Sequence, residues 1–228
     1  PIGLIVGAVG GTPSAAWMPA ETYESSALCR EEIAAFTKTW DREKQMKTHE
    51  AKVAVWEKRV AEAEAKGEKT KGKKPGPLKE LGDMCRGGEI GGLFRRFIEP
   101  VSGVAIRGVL WDQGEAGSGV VGLGQYTSMT ELIRGWREVW GQGEFPFIFV
   151  QKPSGGGNAF AADDPITREA GKFGALPDIT KIGSGDGRFL YTRLMKDNPN
   201  AWMVPAIDLG GTVHPINKWG YGNRAAQV

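Results

Sequence analysis

Four short runs of branched and aromatic residues constrain this chain most, because each one ends abruptly in glycines or polar side chains. They lie at residues 2–9, 104–111, 145–151 and 203–207, and stretches with helical spacing separate them. Runs this short, bounded by turn residues, read as strands buried on both faces. Their alternation with helices predicts an α/β fold, a three-layer sandwich whose parallel sheet is covered on both faces. In open sheets of that kind the ligand crevice lies just beyond the carboxyl ends of the strands. The residues that follow each run therefore carry the functional expectation.

The second run, VAIRGVLW, passes through Asp112 into Gln113-Gly114-Glu115, an amide and a carboxylate with a glycine between them. The first run ends in Gly10-Gly11-Thr12-Pro13, whose adjacent glycines expose backbone N–H groups suited to a developing oxyanion. An ordinary tight turn would carry the same signature. The third run ends in Gln151 and opens into a long glycine-rich loop, and the fourth leads through Asp208 to His214-Pro215. His214 is the natural general base near neutral pH. Glu115 or Asp208 can orient it, and Gly10, Gly11 and Gln113 can donate to an oxyanion. These are three parts of a Ser-His-acid hydrolase, recognised by role. The nucleophile is the missing part: Ser14 and Ser118 lie nearest, but neither sits in a strained strand-to-helix elbow.

Between the first two runs the pattern changes. Residues 21–65 are dominated by Glu, Lys and Ala at helical spacing, and residues 67–77 form a Lys/Gly/Pro linker. An inserted helical excursion over residues 28–80 is expected, in a chain of 228 residues that otherwise makes one domain. Its lysines are balanced by glutamates and lack interleaved aromatics, so no nucleic-acid partner is expected, and His49 within it reads as a surface residue. Beyond it, Leu93, Phe94, Phe97 and Ile98 supply an apolar helix face, and residues 126–140 carry a core-facing stripe. Further helices are expected over residues 188–196 and from Asn217 onward. The GSGDG at residues 183–187 lacks the lysine and preceding strand of a phosphate loop. Cys29 and Cys85 fit no metal spacing, and they either pair or stay free. No metal site, no organic cofactor and no membrane partner are expected, since no apolar run reaches the length of a span.

The stretches PIGLIVGAVGGTPSAAWMP, IRGVLWDQGEAGSG, FPFIFVQ and AIDLGGTVHPINKWGYGNRAA together resemble the sialate O-acetylesterase family, carbohydrate esterases of the SGNH/GDSL hydrolase superfamily. The resemblance implies a flavodoxin-like SGNH fold and hydrolysis of acetyl esters on sugars without metal or cofactor. It also implies His214 as base, Glu115 as its acid, and Gln113 with Gly10 and Gly11 around the oxyanion hole. The family's serine lies in a Gly-Gln-Ser block upstream of the GGTP strand, so this chain by itself is expected to be inactive. Members of the family are often exported. Three departures stand out: Ala116-Gly117 replace the usual Ser-Asn, Phe94-Arg95-Arg96 replace a usual Tyr-Asn-Gly, and Gly211 stands where the superfamily has an acid three residues before the histidine. The last favours Glu115 over Asp208 as the orienting acid. The first leaves open a non-catalytic, carbohydrate-binding relative of the same fold.

Overall fold

The computed structural model describes residues 3–152, 185–209, 213–215 and 217–228. At its centre is a parallel three-stranded sheet, β1 (Val109–Trp111), β2 (Phe147–Val150) and β3 (Ala201–Val204), in the order β1-β2-β3. Parallel neighbours need a crossover, and helix α4 (Gln125–Trp140) supplies the one between β1 and β2. The chain is thus α/β, with helices and a small parallel sheet.

Register decides which side chains meet. Val109, Phe147 and Ala201 stand in one row, Leu110, Ile148 and Trp202 in the next, and Trp111, Phe149 and Met203 in the third. Alternation puts the first and third rows on one face. That face is the core: Phe147 and Phe149 are fully buried. Helix α4 lies over it because Met129, Leu132, Ile133 and Trp136 recur at helical spacing and are all buried. The Trp136 ring packs 5.8 Å from Phe147 and 5.9 Å from Trp111. Helix α5 (Gly185–Asp197) adds Tyr191, 5.8 Å from Phe149. Gly141, at φ 62, closes α4 in the left-handed conformation.

The middle row departs from the expected double cover. Helix α6 (Lys218–Gln227) reaches only the carboxyl end of this second face, where Val150, Ala206 and Leu209 are buried beside Tyr221. Leu110 stays 67% exposed and Trp202 46% exposed. The central run also shortens to three residues. Ile106 gives its N–H and C=O to the Gln142 side-chain amide, which takes it out of any ladder. β3 ends at Val204 because Pro205, without an N–H, follows.

The first run, expected as a strand over residues 2–9, forms none among its described residues 3–9. Leu4, Ile5 and Val6 are exposed at 79%, 51% and 82%. An apolar run becomes a strand only where a neighbouring strand supplies hydrogen bonds, and among the described residues no strand pairs with this one. Gly7 passes Phe97 and Ile98 instead. In β1, the Leu110 N–H and C=O point away from β2, since the flanking residues make that ladder.

The excursion is helical: α1 (Ala20–Ser25), α2 (Ala27–Thr37) and α3 (Arg42–Ala65). Ser26 caps α2 by accepting from the Cys29 N–H at 3.0 Å, and Asp41 caps α3 through the Lys44 N–H at 2.9 Å. α3 buries no residue. Arg42 meets Glu80 at 2.8 Å where the chain returns. Cys29 is buried, Cys85 is exposed, and both thiols are free.

Candidate active site

The Gly10-Gly11 turn, the segment after β1 and the loop carrying His214 enclose one cavity of about 510 Å³. Gly10, Gly11, Gln113, Glu115 and His214 all line it. Asp208 does not.

The glycine turn is fixed from behind. Gly11 sits at φ 71, where a side chain would strain the backbone. Thr12 Oγ1 donates to the Val9 carbonyl at 2.7 Å and accepts from Trp17 Nε1 at 2.9 Å. The Ser14 and Ala15 N–H groups donate to Gly117 and Ser118 carbonyls at 3.0 and 3.1 Å. The turn and the loop after Glu115 are therefore braced against each other.

Gln113 is held by its own backbone. Its carbonyl accepts from Trp111 Nε1 at 3.1 Å, and its Oε1 accepts from the Gly114 N–H at 2.5 Å. With the oxygen so used, the amide NH₂ is the end available to a ligand. Gly114 has to be glycine on steric grounds, because a Cβ there would collide with Tyr191 Oη and the Lys152 side chain.

The charges are organised by a residue that the sequence reading passed over. Lys152 is buried, and its Nζ lies 2.6 Å from Asp112 Oδ1 and 2.8 Å from Glu115 Oε1. Burial pushes the Asp112 carboxyl up. Lys152, the neighbouring Tyr221 and the charge of Lys218 outweigh it and hold the group below its ordinary range. The Tyr221 hydroxyl itself is buried without a well-formed hydrogen bond. Burial, then the facing Asp112 and Glu115 carboxylates, push its ionisation far above the usual phenol value. The sequence signal for Lys152 was slight: a lysine directly after a buried strand, where loop residues begin.

His214 is exposed at the cavity wall. Among the described residues it makes no hydrogen bond or ion pair with Glu115 or Asp208. Asp208 instead forms a bidentate pair with Arg224, both contacts at 2.6 Å, and Arg224 also donates to the Pro205 carbonyl at 2.9 Å. These bonds from Arg224 lower the Asp208 ionisation and tie α6 to the end of β3.

Neither candidate serine reaches the cavity. Ser14 is fully buried, donating to Gln125 Oε1 at 2.9 Å and 2.8 Å from Ser128 Oγ. Ser118 Oγ donates to the Leu123 carbonyl at 2.6 Å. Of the loop after Gln151, residues 153–164 lie outside the described residues, as do Gly210 and Gly211. Among the described residues no group of three His, Cys, Asp or Glu side chains is placed to hold a metal, and no helix is long and apolar enough to cross a membrane.

No family model and no curated protein matches the chain. Among solved structures it is similar to a carbohydrate acetylesterase from Xanthomonas citri, at 26% identity and a TM-score of 0.41. The match covers 59% of this chain and 27% of that one, so the chain spans about a quarter of that protein's length.

Proposed function

We propose that this chain is part of a carbohydrate O-acetylesterase of the sialate O-acetylesterase kind, acting by a Ser-His-acid mechanism. The observation that carries the reading is the convergence of Gly10, Gly11, Gln113, Glu115 and His214 on one cavity from three separate segments. The serine comes from a Gly-Gln-Ser block outside this sequence. Its hydroxyl attacks the acetyl carbonyl while His214 takes its proton. The Gly10 and Gly11 N–H groups and the Gln113 NH₂ meet the oxyanion. His214 then protonates the leaving sugar hydroxyl, and water, activated by the same imidazole, releases acetate from the serine ester. In the complete site Glu115, which lines the same cavity and here pairs with Lys152, turns to His214 to hold the imidazole tautomer.

The test is acetate release from O-acetylated sugars by a polypeptide carrying a Gly-Gln-Ser strand ahead of Pro1, compared with its His214→Ala variant. Turnover should fall on the order of 10⁴-fold or more. Acetate release that survives the substitution overturns the reading.

The pairing of Glu115 with Lys152 rather than with His214 supports a second reading, a carbohydrate-binding relative without turnover. In that case the same polypeptide binds O-acetylated sugar and releases no acetate.

A further inference from the structure

The excursion contains a second cavity, of about 460 Å³, far from the chemistry above in sequence and walled by α3 and the linker that returns alongside it. At 3.6 residues per turn, Thr48, Lys52, Val55, Trp56 and Arg59 share one face of α3, and Glu50, Glu57 and Glu64 lie on the opposite one. From the linker come Lys73 and Pro75. Lys74 covers the Trp56 ring, its Nζ 5.6 Å from the ring centre.

Elsewhere on α3 the lysines find carboxylates: Lys47 with Glu43 at 2.6 Å and Lys58 with Glu62 at 3.9 Å. Lys52, Arg59 and Lys73 form no ion pair among the described residues. Trp56 Nε1 is buried without an acceptor. The Thr48 hydroxyl already donates to the Lys44 carbonyl at 2.8 Å. Ammonium, guanidinium and indole N–H are donors with no acceptor capacity. Among the described residues the cavity therefore gathers three cations with no carboxylate paired to them.

We propose that this cavity binds an anionic sugar unit, with a sulfate or carboxylate group held by Lys52, Arg59 and Lys73. Multi-oxygen anions are the ligands that satisfy several cationic donors at once. Val55, Pro75 and the indole edge supply the apolar surface on which a sugar ring rests. Nucleic acid suits the site less well. Base stacking needs an open aromatic face, and Lys74 occupies the one present. The cations also surround a single cavity, with glutamates on the far side of the helix, and form no stripe that could follow a phosphate backbone. This assignment does not depend on the esterase reading.

The 228-residue chain is titrated with a sulfated uronic-acid disaccharide, with a neutral disaccharide, and with a twelve-residue oligothymidylate. The indole N–H resonance of Trp56, assigned through Trp56→Phe, reports binding. The sulfated disaccharide should shift it saturably, and the affinity should fall at least tenfold in Lys52→Gln/Arg59→Gln and again as salt is raised. The neutral disaccharide should leave it in place. A second pair, Lys73→Gln/Lys74→Gln, should weaken binding with α3 untouched, and far-ultraviolet circular dichroism checks that each variant keeps its helices. No movement of the Trp56 resonance overturns the site, as does undiminished affinity in both folded double variants. Tighter binding of the oligothymidylate than of the disaccharide overturns the ligand class.

Discussion

Lys152 shows what one buried charge does to a site. A lysine with its side chain 6% exposed is tolerated because two carboxylates reach it, and its charge offsets the repulsion between those carboxylates. Replacing it with Met should cost about 1–3 kcal/mol, less than for a fully buried pair, since Glu115 and Asp112 keep some water. The shift in the denaturant midpoint of Lys152→Met measures it, and an unchanged midpoint would show that solvent screens the cluster. Asp208 makes the opposite case. It is half-exposed, it pairs with Arg224 away from the cavity, and its folded ionisation is lowered. A lowered carboxyl stabilises the fold above its unfolded value, about 3.9, and that contribution is lost as pH falls through the folded value. Asp208→Asn should therefore be less stable than the parent at pH 7, by roughly 0.5–1 kcal/mol after screening. The difference should shrink as the pH is lowered from 7 and vanish at an acid pH where the folded carboxyl is protonated as well. Melting temperatures of both proteins at the two pH values decide it, and a gap that persists in acid would place the effect in packing.

At the scale of elements, legibility followed whether a feature is local. The stripe Met129, Leu132, Ile133 and Trp136 determines one helix by itself, and α4 lies where the spacing puts it. Asn217 likewise announces α6, capping it by accepting from the Gly220 N–H at 2.8 Å. Residues 3–9 form no strand: apolar composition says nothing of whether a partner stands alongside, and among the described residues no strand pairs with Leu4 or Val6. The partnership of Asp112 and Glu115 with Lys152 was invisible for the same reason: about forty residues and a crossover helix separate the two sides. The excursion is the local kind again. Because α3 buries no side chain, removing residues 44–74 and closing the gap with a short flexible linker should leave the core's cooperative unfolding intact. Loss of a single sharp transition in that variant would mean that α3 supports the core through contacts with the linker and α2.

The whole molecule is lopsided. One face of its sheet carries Phe147, Phe149 and Trp111 under α4 and α5, while the row Leu110, Ile148 and Trp202 on the other face lies largely open. The expectation of a sheet covered on both faces came from strands that read as apolar throughout, and that reading was right about composition. Leu110 and Trp202 are residues that a second layer would cover, and among the described residues α6 packs instead by Val150, Ala206 and Leu209. Among the described residues the Leu110 N–H and C=O at the edge of β1 have no ladder partner, and Leu4, Ile5 and Val6 are exposed. Apolar surface beside an unpaired strand edge is a template for association, because a second strand gains both hydrogen bonds and burial there. The isolated chain should therefore self-associate as its concentration rises. Leu110→Lys places a charge on the edge strand, and Trp202→Lys places one at the far end of the same row. Neither side chain supports the core, so both variants should keep the parent's melting temperature. Sedimentation velocity across a hundredfold range of concentration separates the outcomes. Association in the parent that falls in Leu110→Lys and Trp202→Lys assigns it to this face. If the two variants associate as strongly as the parent, the contact lies elsewhere, and the open row is tolerated as ordinary exposed surface.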